Sequence, residues 1–172
     1  MGSEATAAAA DQAAIRRDPM AMLPFCGYNM ADYWRHWLSL GASLARPPKI
    51  FRVNWFRKDA DGGFIWPGFG ENMRVLEWIV ERVNGRADAV ASPFGTMPRH
   101  QDINWTGLDF GADDFNGIMD IDRAAAQSET ESQTELFERF GDRLPDALED
   151  ERRALVARLD QGDEIWRIAA DR

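Results

Sequence analysis

The sequence predicts a mixed α/β fold with a helical C-terminal third. Three features predict it. Ile50 to Phe56 is rich in β-branched and aromatic residues, the composition of a strand. Asn72 to Asn84 repeats apolar residues at helical spacing, which places Val75, Leu76, Ile79, Val80 and Val83 on one face. From Asp102 onward the chain turns acidic, and its apolar residues fall into helical stripes.

Taken in order, Ser3–Ala14 is a low-complexity, alanine-rich stretch that reads as a frayed helix or a flexible arm. Asp18-Pro19 and Leu23-Pro24 discourage helix after it. Asn29–Leu40 reads as a helix, with Met30, Tyr33, Trp34, Trp37 and Leu38 at three- and four-residue steps and Gly41 as its stop. Pro47-Pro48 closes the next loop, and the Ile50–Phe56 strand follows. Lys58–Gly63 is a turn, and Phe64–Trp66 a short second strand or extended segment. The helix from Asn72 ends before Gly85, and Ala89–Met97 is a strand or extended loop. The last third predicts helices at Asp113–Met119, Arg123–Phe140 and Pro145–Asp160. One stripe is Leu136, Phe137 and Phe140, another Leu148, Leu155 and Leu159.

At 172 residues the chain can form one domain with its own core. A net charge of −9 argues against a nucleic-acid binder, which needs a basic face. The acidity is reversed locally, because Lys49, Arg52, Arg57 and Lys58 share a stretch with no acid. The alternative is that these four are solvated charges. Cys26 is the only cysteine, so no intramolecular disulfide forms and a cytoplasmic setting is expected. No apolar run approaches membrane-spanning length, and no internal repeat is apparent.

The residues between Pro47 and Trp78 carry the densest chemistry. Trp55, Phe56, Phe64, Trp66 and Phe69 surround a Pro67-Gly68 turn. Flat rings beside glycines suit a slot for a planar ligand, and equally an aromatic core. Asn72 opens a helix, so it can face a ligand, cap the helix, or do both. Gly68 and Gly70 bracket Phe69 and permit positive φ. A Walker-type phosphate loop needs a lysine followed by Ser or Thr after its glycines. Lys49 and Lys58 are the only lysines, and neither has that setting. His36 and His100 lie far apart, and the carboxylates show no ligand spacing. No catalytic residue and no metal ligand is therefore assigned within this chain.

Several runs resemble one known family. SEATAAA at Ser3–Ala9, DPMAMLPFCGYN at Asp18–Asn29, NWFRKD at Asn54–Asp59, FIWPGFGEN at Phe64–Asn72 and RVLEW at Arg74–Trp78 closely resemble the guanine-binding region of the GTP-dependent phosphoenolpyruvate carboxykinases. The resemblance is strong over roughly the first hundred residues and weaker beyond.

It implies a carboxykinase-like, nucleotide-binding C-terminal domain fragment forming a single segment. Residues 1–17 would be a mobile lid, with Glu4, Ala5, Thr6, Ala7, Ala8 and Ala9 at its heart. Residues 18–100 would form the guanine-pocket α/β part, and 101–172 a helical part packed on it. Phe56, Phe64 and Phe69 would sandwich the base, Asn72 would read its edge, and Trp55 would adjoin. The family decarboxylates oxaloacetate and phosphorylates the enolate with GTP, giving phosphoenolpyruvate, CO2 and GDP in gluconeogenesis. The resemblance thus implies GTP/GDP, oxaloacetate and phosphoenolpyruvate as ligands, with no nucleic acid and no membrane. Mn2+ or Mg2+, the phosphate loop and the oxaloacetate-binding arginines would belong to the N-terminal remainder of the polypeptide. On this basis the chain alone is expected to be inactive, monomeric and cytoplasmic. A second expectation is a non-catalytic guanine-nucleotide-binding module. A third is a partly folded scaffold with uncovered apolar faces.

Overall fold

The computed structural model describes residue 22 and residues 25–168. The lid positions Glu4–Ala9 lie outside the described residues. The chain forms two compact units, residues 1–47 with 129–154, and residues 48–128 with 155–172.

The first unit contains helix α1 (Met30–Ser43). It starts where expected, because the Asn29 side chain accepts the backbone N–H of Ala31 at 2.9 Å. It does not stop at Gly41. Backbone hydrogen bonding continues to Leu44, whose N–H donates to the Leu40 carbonyl at 3.1 Å, and only there does the backbone become extended. A single interior glycine costs about 1 kcal/mol, which helix propagation absorbs. The unit also takes in the end of helix α4 (Arg123–Glu138) and most of helix α5 (Asp146–Asp160). Trp34 packs edge-on against Phe140 at 4.7 Å and Phe137 at 6.2 Å, so the Leu136–Phe140 stripe is a real apolar face. Asp32 accepts from both Arg35 and Arg143, at 2.8 and 2.9 Å.

The second unit holds the main core. Helix α2 (Asn72–Val83) brings Trp78 onto Ile103, Phe110 and Phe115, the last from helix α3 (Ala112–Met119). Phe51 meets Trp78 edge-on at 5.9 Å. The Trp78 indole N–H donates to the Asp88 carbonyl at 3.1 Å, so the buried donor is satisfied. Ala89–Met97 resolves into a hairpin, β1 (Val90–Ser92) against β2 (Gly95–Met97), turned at Pro93-Phe94, with Gly95 at φ 123° where β2 begins. A smaller cluster of Ile121, Ala126 and Leu159 forms where β3 (Ile121–Asp122) pairs antiparallel with β4 (Ile165–Trp166). Leu159 is therefore core, as its stripe predicts.

One sequence expectation is corrected. Ile50–Phe56 is not a strand, since none of its residues joins a β-ladder. The only pairing nearby is an isolated antiparallel bridge, Lys58 to Phe64, across the turn. Strand-like composition describes a pleated, half-buried surface, and strand formation still requires a neighbouring backbone. The apolar face of α2 is covered only in part. Val75 and Ile79 pack with Trp78 on the core, while Leu76, Val80 and Val83 stay exposed.

Electrostatics reinforce α5 locally. Glu149 accepts two hydrogen bonds from Arg152, at 2.7 and 2.8 Å, and a third from Arg153 at 3.1 Å. The Arg152 hydrogen bonds, with the two arginine charges, outweigh desolvation and hold the Glu149 carboxyl below its ordinary 4.5, at about 2. A depressed carboxylate pKa stabilises the fold above its unfolded value, and that contribution disappears as pH falls through the folded value. In paired urea titrations, Glu149→Gln is expected to cost about 1 kcal/mol or less at pH 6. The difference between the two proteins should shrink steadily from pH 4.5 toward pH 2. A constant difference across that window would show that the ion pairs contribute nothing.

Candidate functional site

The ring-rich segment is organised around Trp66, which is buried. Its ring lies 5.4 Å from Trp55, 6.2 Å from Trp105 and 6.1 Å from Phe110. An indole N–H is a donor only and must find an acceptor when buried. Asn72 provides it, with its Oδ1 accepting from Trp66 Nε1 at 2.8 Å. This bond fixes the orientation of the Asn72 amide and leaves its NH2 half for any ligand acceptor. Helix α2 does begin at Asn72, but the Asn72 side chain makes no cap: the residue before the helix is Glu71, also without a side-chain cap bond.

Between these two partners runs Pro67–Glu71. Gly68 sits at φ 130°, a conformation that disfavours every other residue type. Gly70 is not at positive φ, so only one of the bracketing glycines is needed for backbone reasons. Phe69 follows Gly68 at the start of a 3-10 turn (Phe69–Glu71) and holds its ring in solvent, 90% exposed.

Phe56 and Phe64 stand across the Lys58–Phe64 bridge, with ring centroids 6.1 Å apart and edge to face. They are 71% and 60% exposed, so none of the three phenylalanines is core. The turn between them is held by Asp59, whose Oδ1 accepts from the N–H groups of Asp61 and Gly63 at 3.0 and 2.8 Å. Phe64 also lines an open cleft of about 500 Å³, with Pro67, Leu108, Phe110 and the carboxylates of Asp59, Asp109, Asp113 and Asp114. That acidic lining repels a polyphosphate, so only a neutral part of a ligand fits there.

Three of the four cations of residues 49–58 make separate local contacts. Lys49 donates to the Arg82 carbonyl at 3.3 Å. Arg57 donates to the carbonyls of Ile118 and Asp120, at 2.8 and 2.5 Å, and so holds the end of α3. Lys58 lies 5.2 Å from the centre of the Phe64 ring.

His100 and Asp102 serve the scaffold. His100 stacks on Trp105 at 5.3 Å, and its Nε2 lies 2.9 Å from the Phe110 carbonyl. His36 is exposed on α1. Burial raises the Asp102 carboxyl, but Arg99 outweighs it through side-chain and backbone hydrogen bonds and its charge, and the net shift is downward. Among the described residues, no three or more His, Cys, Asp and Glu side chains gather to hold a metal ion. Nor is any described helix long and apolar enough to cross a membrane.

Comparison with known proteins decides the family. Residues 1–158 match the family described as "Phosphoenolpyruvate carboxykinase C-terminal P-loop domain". The chain belongs to the GTP-dependent phosphoenolpyruvate carboxykinases. It is 48% identical over 162 residues to the phosphoenolpyruvate carboxykinase [GTP] of Arthrobacter sp. (strain FB24), covering 92% of this chain and 26% of that protein. Against the phosphoenolpyruvate carboxykinase [GTP] of Anaeromyxobacter dehalogenans (strain 2CP-1) it is 48% identical over 160 residues, covering 92% and 27%. Against that of Treponema pallidum (strain Nichols) it is 48% identical over 164 residues, covering 92% and 26%. The chain thus spans about a quarter of the length of the curated relatives it matches. The carboxykinase match runs well past the first hundred residues, into α5.

Sequence reading placed Trp66 beside the site but missed its bond to Asn72. The available signal was a donor-only indole in an apolar cluster with one amide six residues on. Trp66→Phe keeps a ring but removes the donor, and should lower the unfolding free energy by about 0.5–1.5 kcal/mol in urea titrations. Combined with Asn72→Ala, the loss should be less than the sum of the single losses. Strict additivity would mean that the two side chains are not coupled.

Proposed function

We propose that this chain supplies the guanine pocket of a GTP-dependent phosphoenolpyruvate carboxykinase. The exposure of Phe56, Phe64 and Phe69 is the observation that carries the proposal. Three large rings left in water, on a segment anchored by buried Trp66, have stacking faces available to a planar ligand. Trp55 adjoins from the Trp66 side. The Asn72 NH2 is a donor matched to the guanine carbonyl, whereas the corresponding edge of adenine carries an amino group. Family membership supports the same assignment, since the relatives are named for GTP.

In this proposal the whole enzyme converts oxaloacetate and GTP to phosphoenolpyruvate, CO2 and GDP in gluconeogenesis, in the cytoplasm and as a monomer. Loss of CO2 leaves an enolate whose oxygen attacks the terminal phosphorus of GTP, and the bond to GDP breaks. The residues of this chain bind and orient the base and take no part in bond making. The 172 residues form one nucleotide-binding segment, with 1–17 as lid, 18–100 as pocket and 101–172 as helical support. Mn2+ or Mg2+ would supply charge neutralisation at the phosphates when bound. Its ligands, like the phosphate loop, are assigned to the remainder of the polypeptide, as the family resemblance implies. Neither lysine has the setting of a phosphate-loop lysine, which is why the isolated chain is expected to be inactive.

Binding without turnover is the expected behaviour of the isolated chain. GTP should quench the tryptophan fluorescence, with Trp55 and Trp66 as reporters, and ATP should quench it much less. Phe69→Ala should weaken GTP binding about 5- to 100-fold, the value of one stacked ring, and leave the melting temperature unchanged because the ring is solvent-exposed. Equal quenching by the two nucleotides would contradict guanine recognition, and turnover of oxaloacetate with GTP would contradict inactivity.

A further inference from the structure

The side-chain amide of Asn72 has two orientations half a turn apart, and they present opposite chemistry to a base. With Oδ1 turned inward, the amide offers N–H donors outward. Reversed, it offers a carbonyl acceptor. A donor matches the guanine carbonyl, and an acceptor matches the amino group at the same edge position of adenine. Stacking on Phe56, Phe64 and Phe69 is nearly blind to that difference, because every base has a π-face. Discrimination between the two purines at this edge therefore reduces to which end of one amide faces out.

One group decides that orientation. Among the described residues, the Asn72 side chain has a single hydrogen-bond partner, the Trp66 indole N–H, which donates to Oδ1 at 2.8 Å. An indole donates and never accepts. Reversing the amide would set its NH2 against that N–H, donor against donor, inside an aromatic surround. Trp66 has no room to turn aside. It is buried, and its ring packs against Trp55, Trp105 and Phe110. Its backbone is also held, because the preceding Ile65 N–H donates to the Arg57 carbonyl at 3.0 Å. A lost hydrogen bond with unpaired buried donors disfavours the reversed amide about 10- to 100-fold.

We infer that Trp66 is a specificity-determining positioning residue: its indole N–H holds the Asn72 amide with the donors outward and so shuts out adenine nucleotides. The inference rests on the guanine-pocket reading and deepens it, since selectivity then resides in a buried ring that acts through Asn72. Removing the N–H makes the two amide orientations comparable in population. The donor-outward share then falls only about twofold, while the reversed share rises about tenfold or more.

The test compares GTP and ATP binding, by isothermal titration calorimetry, to the 172-residue chain and to its Trp66→benzothienylalanine variant. Sulfur there replaces the indole N–H and the ring shape is kept, so folding is preserved. In the variant, ATP should bind about 10-fold tighter or more, and GTP no more than about twofold weaker. Trp66→Phe should shift the GTP/ATP ratio in the same direction. In an Asn72→Ala background neither replacement should move the ratio, because the amide through which Trp66 acts is gone. An unchanged ratio, or parallel weakening of both nucleotides, would overturn the role of Trp66 and leave the guanine pocket standing. A shift of the same size in the Asn72→Ala background would do likewise. Equal affinities in the unaltered chain, or no binding of either nucleotide, would instead remove the guanine reading and this inference with it.

Discussion

The bond from the Trp66 indole to Asn72 is the constraint on which the site depends. A tryptophan buried among Trp55, Trp105 and Phe110 has no acceptor within its apolar surroundings, and an unpaired donor there costs about 1–3 kcal/mol. Asn72 removes that penalty and ties the first residue of α2 to the aromatic cluster. The five residues between them are pinned at both ends, and Gly68 turns the chain so that Phe69 stands in solvent. One hydrogen bond therefore sets the amide orientation and anchors the segment that displays a ring.

The site and the core draw on the same residue types for opposite purposes. Burying an aromatic side chain contributes about 1.5–3 kcal/mol, and Trp78, Phe110 and Phe115 provide that stabilisation to the second unit. Phe56, Phe64 and Phe69 forgo it. In the proposed reading these are the rings that stack on the base. The basic residues nearby divide differently. Arg57 and Lys49 are used to hold backbone carbonyls, so the local excess of positive charge in the sequence serves the scaffold more than a phosphate.

Local pattern made most helices legible. α2, α3, α4 and α5 begin and end within about two residues of their expected bounds, because apolar periodicity and punctuation by Gly and Pro are local signals. Features that need a spatial neighbour were not legible. The Ile50–Phe56 strand failed for want of a partner backbone, although its residues suit one. The end of α1 was missed because a glycine inside a helix is only a modest penalty. Periodicity put five apolar residues on one face of α2 but could not tell that Leu76, Val80 and Val83 stay exposed. Within the site, the cluster of rings was evident from composition. Which rings are buried, and which group takes the Asn72 oxygen, could emerge only from the packed structure.

The central claim is contact between a purine and the three exposed phenylalanines, and nuclear Overhauser effects report it directly. With GDP added to the isotope-labelled chain, cross-peaks are expected from guanine H8 to ring protons of Phe64 and Phe69, together with a shifted Asn72 side-chain NH2. Cross-peaks confined to other residues, with the Phe56, Phe64 and Phe69 ring signals unmoved at saturating GDP, would contradict it.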